Sequence, residues 1–308
     1  FSIFMVALAF LALKAIPGLG LEKLPETFAR FDPKWVLLGT AACLVQVSFQ
    51  ILRLGVVFPA KERPPFFRIL NAVTFGQLLN GVAPMRSGDA YKVVALSRSD
   101  WKGALPVSAA ASFMLAERVA DNLMLFAAIG WAESALLGQT VDKVRSSISE
   151  NGPVALAVAV VVGIGLFTAF RVFQKKLAAL REKLIAFARH FSKLLVSPSF
   201  LVCVVVSLLT WILEAGSMAI MARGIGVDLS ISQAISAIFM LNLGLAIPVT
   251  VANVGLFEAA LAFGLSRFGV DPAVGVAVAS LHHINQLVAL GSWSAVTVLV
   301  QRRALRAR

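Results

Sequence analysis

With 308 residues, 59% hydrophobic and 14% charged side chains and a mean hydropathy of +0.86, the chain lies far from soluble globular composition, in which roughly a quarter of residues are charged. Its net charge of +12 has no soluble basic segment to carry it, so a nucleic-acid-binding domain is excluded as a partner site and the charges instead report which loops face the cytoplasm. The composition predicts an all-α polytopic membrane protein, and apolar runs spaced through the whole length predict one integral membrane domain over 1–308.

A helix needs about 20 mostly apolar residues to cross a bilayer core. The run Phe1–Leu13 reads as part of a first spanning helix, because no basic region precedes it as in a signal peptide. Further runs follow at about 35–59, 105–137, 153–172, 199–222 and 272–300, giving about six spanning helices. Two more apolar regions are broken in the middle: 66–98 by the polar stretch Asn80–Lys92, and 232–269 by Ile247–Gly255. Their arms are too short to span, so both read as re-entrant helical hairpins. Broken helix inside a bilayer is tolerated only where protein or a water-filled cavity covers it.

With the chain starting inside, 17 Lys and Arg fall on inner segments and 8 on outer ones, leaving Arg53, Arg86 and Arg118 at or within the membrane. That bias predicts both termini in the cytoplasm and requires each hairpin to return to the side it entered. Residues 35–137 and 199–300 then contain the same three elements with opposite orientation, an inverted repeat whose hairpins enter from opposite faces, as in many transporters. Between the repeats, about 174–195, Lys and Arg alternate with Leu, Ile and Phe as a basic amphipathic helix suited to the inner interface. Cys43 and Cys203 lie in apolar runs and read as small buried hydrophobes.

Ionisable groups inside spans are costly and mark function or mutual pairing. In the first half these are Arg86 and Asp89 in the stretch that Asn80 opens, then Glu117, Arg118 and Asp121, which helical spacing puts on one side. Arg86 and Arg118 offer planar donor forks suited to a phosphate. A salt-bridged lock between helix and hairpin is the alternative reading. In the second half the candidates are Glu214 in mid-span, Asn253 and Glu258 flanking Gly255, and His282 and His283 in the last helix. The carboxylates suit an amine or a coupling proton. No metal-ligand pattern occurs, and neither a cofactor nor a catalytic residue is predicted.

Pro84-x-Arg86-x-Gly88-Asp89, then Glu117-Arg118-x-x-Asp121, then Pro248 with Asn253-x-Gly255-x-x-Glu258 resemble the lysylphosphatidylglycerol synthase/flippase transmembrane family over about 35–300. That family contains small membrane proteins and the membrane half of bacterial multiple-peptide-resistance proteins. The resemblance implies a multi-pass protein of the prokaryotic inner membrane. It also implies a flippase moving a phospholipid or lipid-linked headgroup between leaflets, with an anionic, aminoacylated or lipid-linked membrane lipid as partner. A homo-oligomer is compatible with it. The soluble aminoacyl-transfer domain of longer members is not expected, since eight residues follow Val300. Asp89 stands where Glu is commoner and His282-His283 where Arg is frequent, departures that bear on the substrate rather than the fold. A membrane-embedded lipid-modifying transferase is the alternative function.

Overall fold

A computed structural model describes residues 24–82, 87–97, 105–134, 185, 187–245 and 253–306, and all regular structure among them is helical. In chain order the helices are α1 (Leu24–Ala29), α2 (Pro33–Val56), α3 (Phe66–Val82), α4 (Ser87–Ser97), α5 (Val107–Ala132), α6 (Pro198–Arg223), α7 (Ile231–Leu245), α8 (Leu256–Ser266) and α9 (Pro272–Arg306), with a further helical stretch over 187–195. The expected spans at 1–13 and 153–172, and most of the basic helix at 174–195, lie outside the described residues.

Three long helices begin in the same way. Asp32 accepts from Lys34 N at 3.0 Å ahead of Pro33, Ser197 from Phe200 N at 3.2 Å ahead of Pro198, and Asp271 from Ala273 N at 2.9 Å ahead of Pro272. The short polar side chain satisfies a free N–H of the first turn, and proline, which has none to lose, fits the first helical position. Helices α2, α6 and α9 are long and apolar enough to cross a membrane. Helix α5 is as long, at 26 residues, but carries Glu117, Arg118 and Asp121. Around the bundle the outer faces are apolar, as at Leu37, Phe126, Trp131 and Leu201. The buried interior instead includes Arg53, Lys92, Glu117, Asp121, His282 and His283, the distribution expected of a bilayer protein.

The described parts of the arms of the two broken regions comprise 17 and 11 residues for α3 and α4, and 15 and 11 for α7 and α8. Each pair packs along its length. At Gly88 the α4 backbone comes so close to α3 that a Cβ would collide with the carbonyl of Gly76 and with Asn80 Oδ1. One apolar cluster includes Cys43, Leu54, Phe58, Leu70, Leu96 and Phe113; another includes Met218, Met221, Ile238, Leu241, Leu261 and Leu265. Cys43 and Cys203 are buried and free, as small hydrophobes should be.

Contacts between helix ends order the bundle. At one end Phe58, beyond α2, packs on Phe113 near the start of α5, with ring centroids 4.4 Å apart, and Phe113 meets His190 edge-on at 5.0 Å. There Leu105 N donates to Leu96 O at 3.4 Å, tying the exit of α4 to the entry of α5. At the other end Asp32 N donates to Gly224 O at 3.1 Å, and Arg267, beyond α8, pairs with Glu133, beyond α5, at 3.1 Å.

Candidate functional site

Buried charge gathers where α2, α4 and α5 meet. Arg53 of α2 reaches Glu117 with Nε at 3.1 Å and Nη2 at 3.0 Å, and its Nη1 contacts Asp121 Oδ1. Lys92 of α4 lies 3.9 Å from the other Glu117 oxygen. Arg118 donates to Asp89 Oδ1 at 2.6 Å and lies 3.8 Å from Asp121 Oδ2. Asn80 donates to Asp89 at 3.2 Å. Three cations thus face three carboxylates, with Glu117 only 1% exposed and Lys92 2%. Burial this deep is sustained only when each charge has partners and hydrogen bonds. The guanidinium of Arg53 bridges two carboxylates one helical turn apart, a geometry suited to a planar fork and not to an ammonium point charge.

The polar elements of the second half gather differently. Glu258, in the first turn of α8, accepts from Gly255 N at 2.6 Å, and its other oxygen lies 2.8 Å from His283 Nδ1. Gly255 has φ of 83° and Asn253 φ of 57°, left-handed conformations that glycine and asparagine adopt most readily. Phe257 stacks on the His283 ring, centroids 4.2 Å apart and planes 11° from parallel.

Between these groups lies a cavity of about 170 Å³ with Gln46, Gln50, Gln77, Glu214, Asn253 and Gln286 among its lining. Glu214 sits between two amide donors, Gln46 Nε2 at 3.2 Å from Oε2 and Gln286 Nε2 at 3.4 Å from Oε1. Gln77 donates to Gln50 at 2.5 Å, and Gln286 Nε2 lies 3.0 Å from His282 Nε2.

The structure therefore divides the expected residues. Asn80, Asp89, Glu117, Arg118 and Asp121 join one ionic cluster; Glu214, Asn253 and His283 line the cavity. Glu258 holds His283 from behind, and His282 is fully buried against Gln286. Arg86 lies outside the described residues. Within the cluster Arg118 is paired, the arrangement that the salt-bridge alternative anticipates. Lys92, at the end of the polar stretch and not among the charges that the sequence places within the membrane, is a buried member of the cluster: its stem lies against Gly76, where a larger residue would leave no room. Arg53 and the four glutamines were not singled out as site residues. The signal was present in each case, an ionisable or amide side chain inside an apolar run, but nothing local says which of them converge.

Compared with known families, residues 1–292 match the model described as the lysylphosphatidylglycerol synthase TM region. No curated protein and no solved structure matches the chain.

Proposed function

The chain belongs to the lysylphosphatidylglycerol synthase transmembrane family, a family of lipid-related membrane proteins, and from that membership we propose that it is a flippase-like transporter. It would carry a phospholipid or lipid-linked headgroup between the leaflets of a prokaryotic cell membrane. The observation that carries this reading is the cavity, whose lining comes from α2 and α3 on one side and α6 to α9 on the other. A site at the junction of two halves is where rocking of one half against the other exposes a substrate to each leaflet in turn.

An inverted repeat is supported by the order of elements, a long helix, a packed pair of helices and a second long helix in α2 to α5 and again in α6 to α9. Asp89 and Glu258 each lie near the described start of the second arm of their hairpin. Arg118 and His283 each stand twelfth in the helix that follows. The Asp89–Arg118 and Glu258–His283 pairs thus each join the second arm of a hairpin to the helix that follows, as a repeat would have it. The end contacts support re-entrance from opposite faces: α4 leaves beside the start of α5, near Phe58 and His190, whereas α8 leaves beside the end of α5.

One observation favours the transferase alternative. His283, oriented by Glu258 and facing a cavity, has the geometry of a general base. Its counterpart pair Asp89–Arg118 has no such capacity, and Glu258 also caps α8, so a structural role accounts for both.

Proteoliposomes containing a panel of labelled anionic, aminoacylated and lipid-linked glycosyl lipids test the reading. Leaflet exchange that the protein accelerates, and that falls at least tenfold in Arg86→Ala and Glu258→Gln, is expected. An unchanged leaflet distribution for every lipid, with a chemically new lipid in the extracts, overturns transport in favour of the transferase.

A further inference from the structure

We propose that the cavity between the two halves binds an uncharged polyhydroxy headgroup, a single sugar ring or polyol of similar size. This deepens the transport reading by naming the chemical class its site accepts. The lining that decides it is five amides, Gln46, Gln50, Gln77, Asn253 and Gln286, together with the carboxylate Glu214, which Gln46 and Gln286 contact. Each amide offers two donors and a carbonyl acceptor, and a hydroxyl is likewise both donor and acceptor, so neighbouring hydroxyls on a ring pair with amides in both directions.

The two charged alternatives fit less well. A phosphate only accepts, so it would leave the amide carbonyls unmatched. An ammonium only donates, so it would take Glu214 and the amide carbonyls but leave the amide N–H groups unmatched. Glu214 is moreover already served by Gln46 and Gln286. A carboxylate has roughly four lone-pair sites, so it keeps room to accept from hydroxyls.

Size and wall chemistry agree. At about 170 Å³ the cavity is close to the roughly 150 Å³ that admits one benzene-sized ring. Phe257, Leu287 and Leu290 supply an apolar wall for the C–H face of such a ring, in the usual pattern of a few placed polar groups against apolar lining.

The test is binding of short-chain lipids to the full chain, purified in a polyoxyethylene detergent because a glucoside or maltoside would itself compete. Dioctanoyl glucosyl-glycerol, dioctanoyl phosphatidylglycerol and its aminoacylated form are titrated by calorimetry. The glucosyl lipid is expected to bind at least tenfold tighter than the other two. Gln50→Leu should weaken it at least tenfold, with the melting temperature of the unliganded protein measured alongside. Glu214→Gln should change glucosyl binding less than fivefold, since an amide still donates and accepts, whereas an ammonium would lose its counter-charge. Tighter binding of either charged lipid, glucosyl affinity within twofold of wild type in a folded Gln50→Leu protein, or loss of glucosyl binding in Glu214→Gln overturns the proposal. Glucosyl binding without leaflet exchange of any lipid leaves this site standing and removes transport. Exchange of phospholipids without glucosyl binding does the reverse.

Discussion

Arg53 shows how one residue can hold a buried network. It spans Glu117 and Asp121, and its removal leaves two carboxylates in a site nearly closed to solvent. Breaking a buried pair by deleting one partner costs roughly 3–5 kcal/mol. Arg53→Met is therefore expected to lower the melting temperature in detergent by many degrees. Replacing an interaction is far milder than breaking it, so adding Asp121→Asn to Arg53→Met, which leaves Glu117 its contact with Lys92 and Arg118 its contact with Asp89, should recover part of the loss. If the double variant melts no higher than the single one, Arg53 acts by packing and not by charge. The sequence made Glu117, Arg118 and Asp121 legible because their mutual spacing is local. It left Arg53 unread because its partners are 64 and 68 residues away.

At the scale of elements, the hairpin α3–α4 depends on the approach of two backbones. A methyl at Gly88 would meet the Gly76 carbonyl, and backbone cannot yield as the tip of a flexible side chain does. Overpacking of this kind typically costs about 1–3 kcal/mol, and here it also displaces Asp89 from Arg118. Gly216 in α6 is the matched control, with nothing within 4 Å of an added Cβ; alanine there removes glycine's excess chain entropy, worth roughly 0.5–1 kcal/mol in a helix. Gly88→Ala should thus melt lower than wild type and Gly216→Ala equal or higher, by thermal unfolding in detergent. The two interrupted apolar regions were legible in the sequence from the Gly and Pro in their middles. Their close pairing was not, since it depends on which glycine faces which.

For the whole molecule, the end contacts and the Lys and Arg bias give one expected orientation. Ser192 beside His190 and Ser230 at the start of α7 are both exposed and lie at opposite ends of the bundle. Single cysteines placed there, with Cys43 and Cys203 replaced, should react with impermeant reagent from the cytoplasmic side at 192 and from the external side at 230. Labelling of both from one side would mean that α6 does not cross the membrane, whereas labelling of 192 from outside and 230 from the cytoplasm would mean that the first hairpin crosses and the repeat is not inverted.

Composition and hydropathy by themselves determined that the chain lives in a membrane, since a 14% charged chain with long apolar runs can bury those runs nowhere else. The order of the runs, two of them broken, determined where irregular backbone would need cover. Only the tertiary structure decided that Arg53 and Lys92 complete the Glu117–Asp121 cluster, and that four glutamines from three helices line one cavity with Glu214. The reason is physical. Apolar surface is recognised by a run's own composition, whereas a buried polar group must be satisfied by whatever the packed neighbouring helix presents, and that choice is fixed by the rotation and offset of helices distant in sequence.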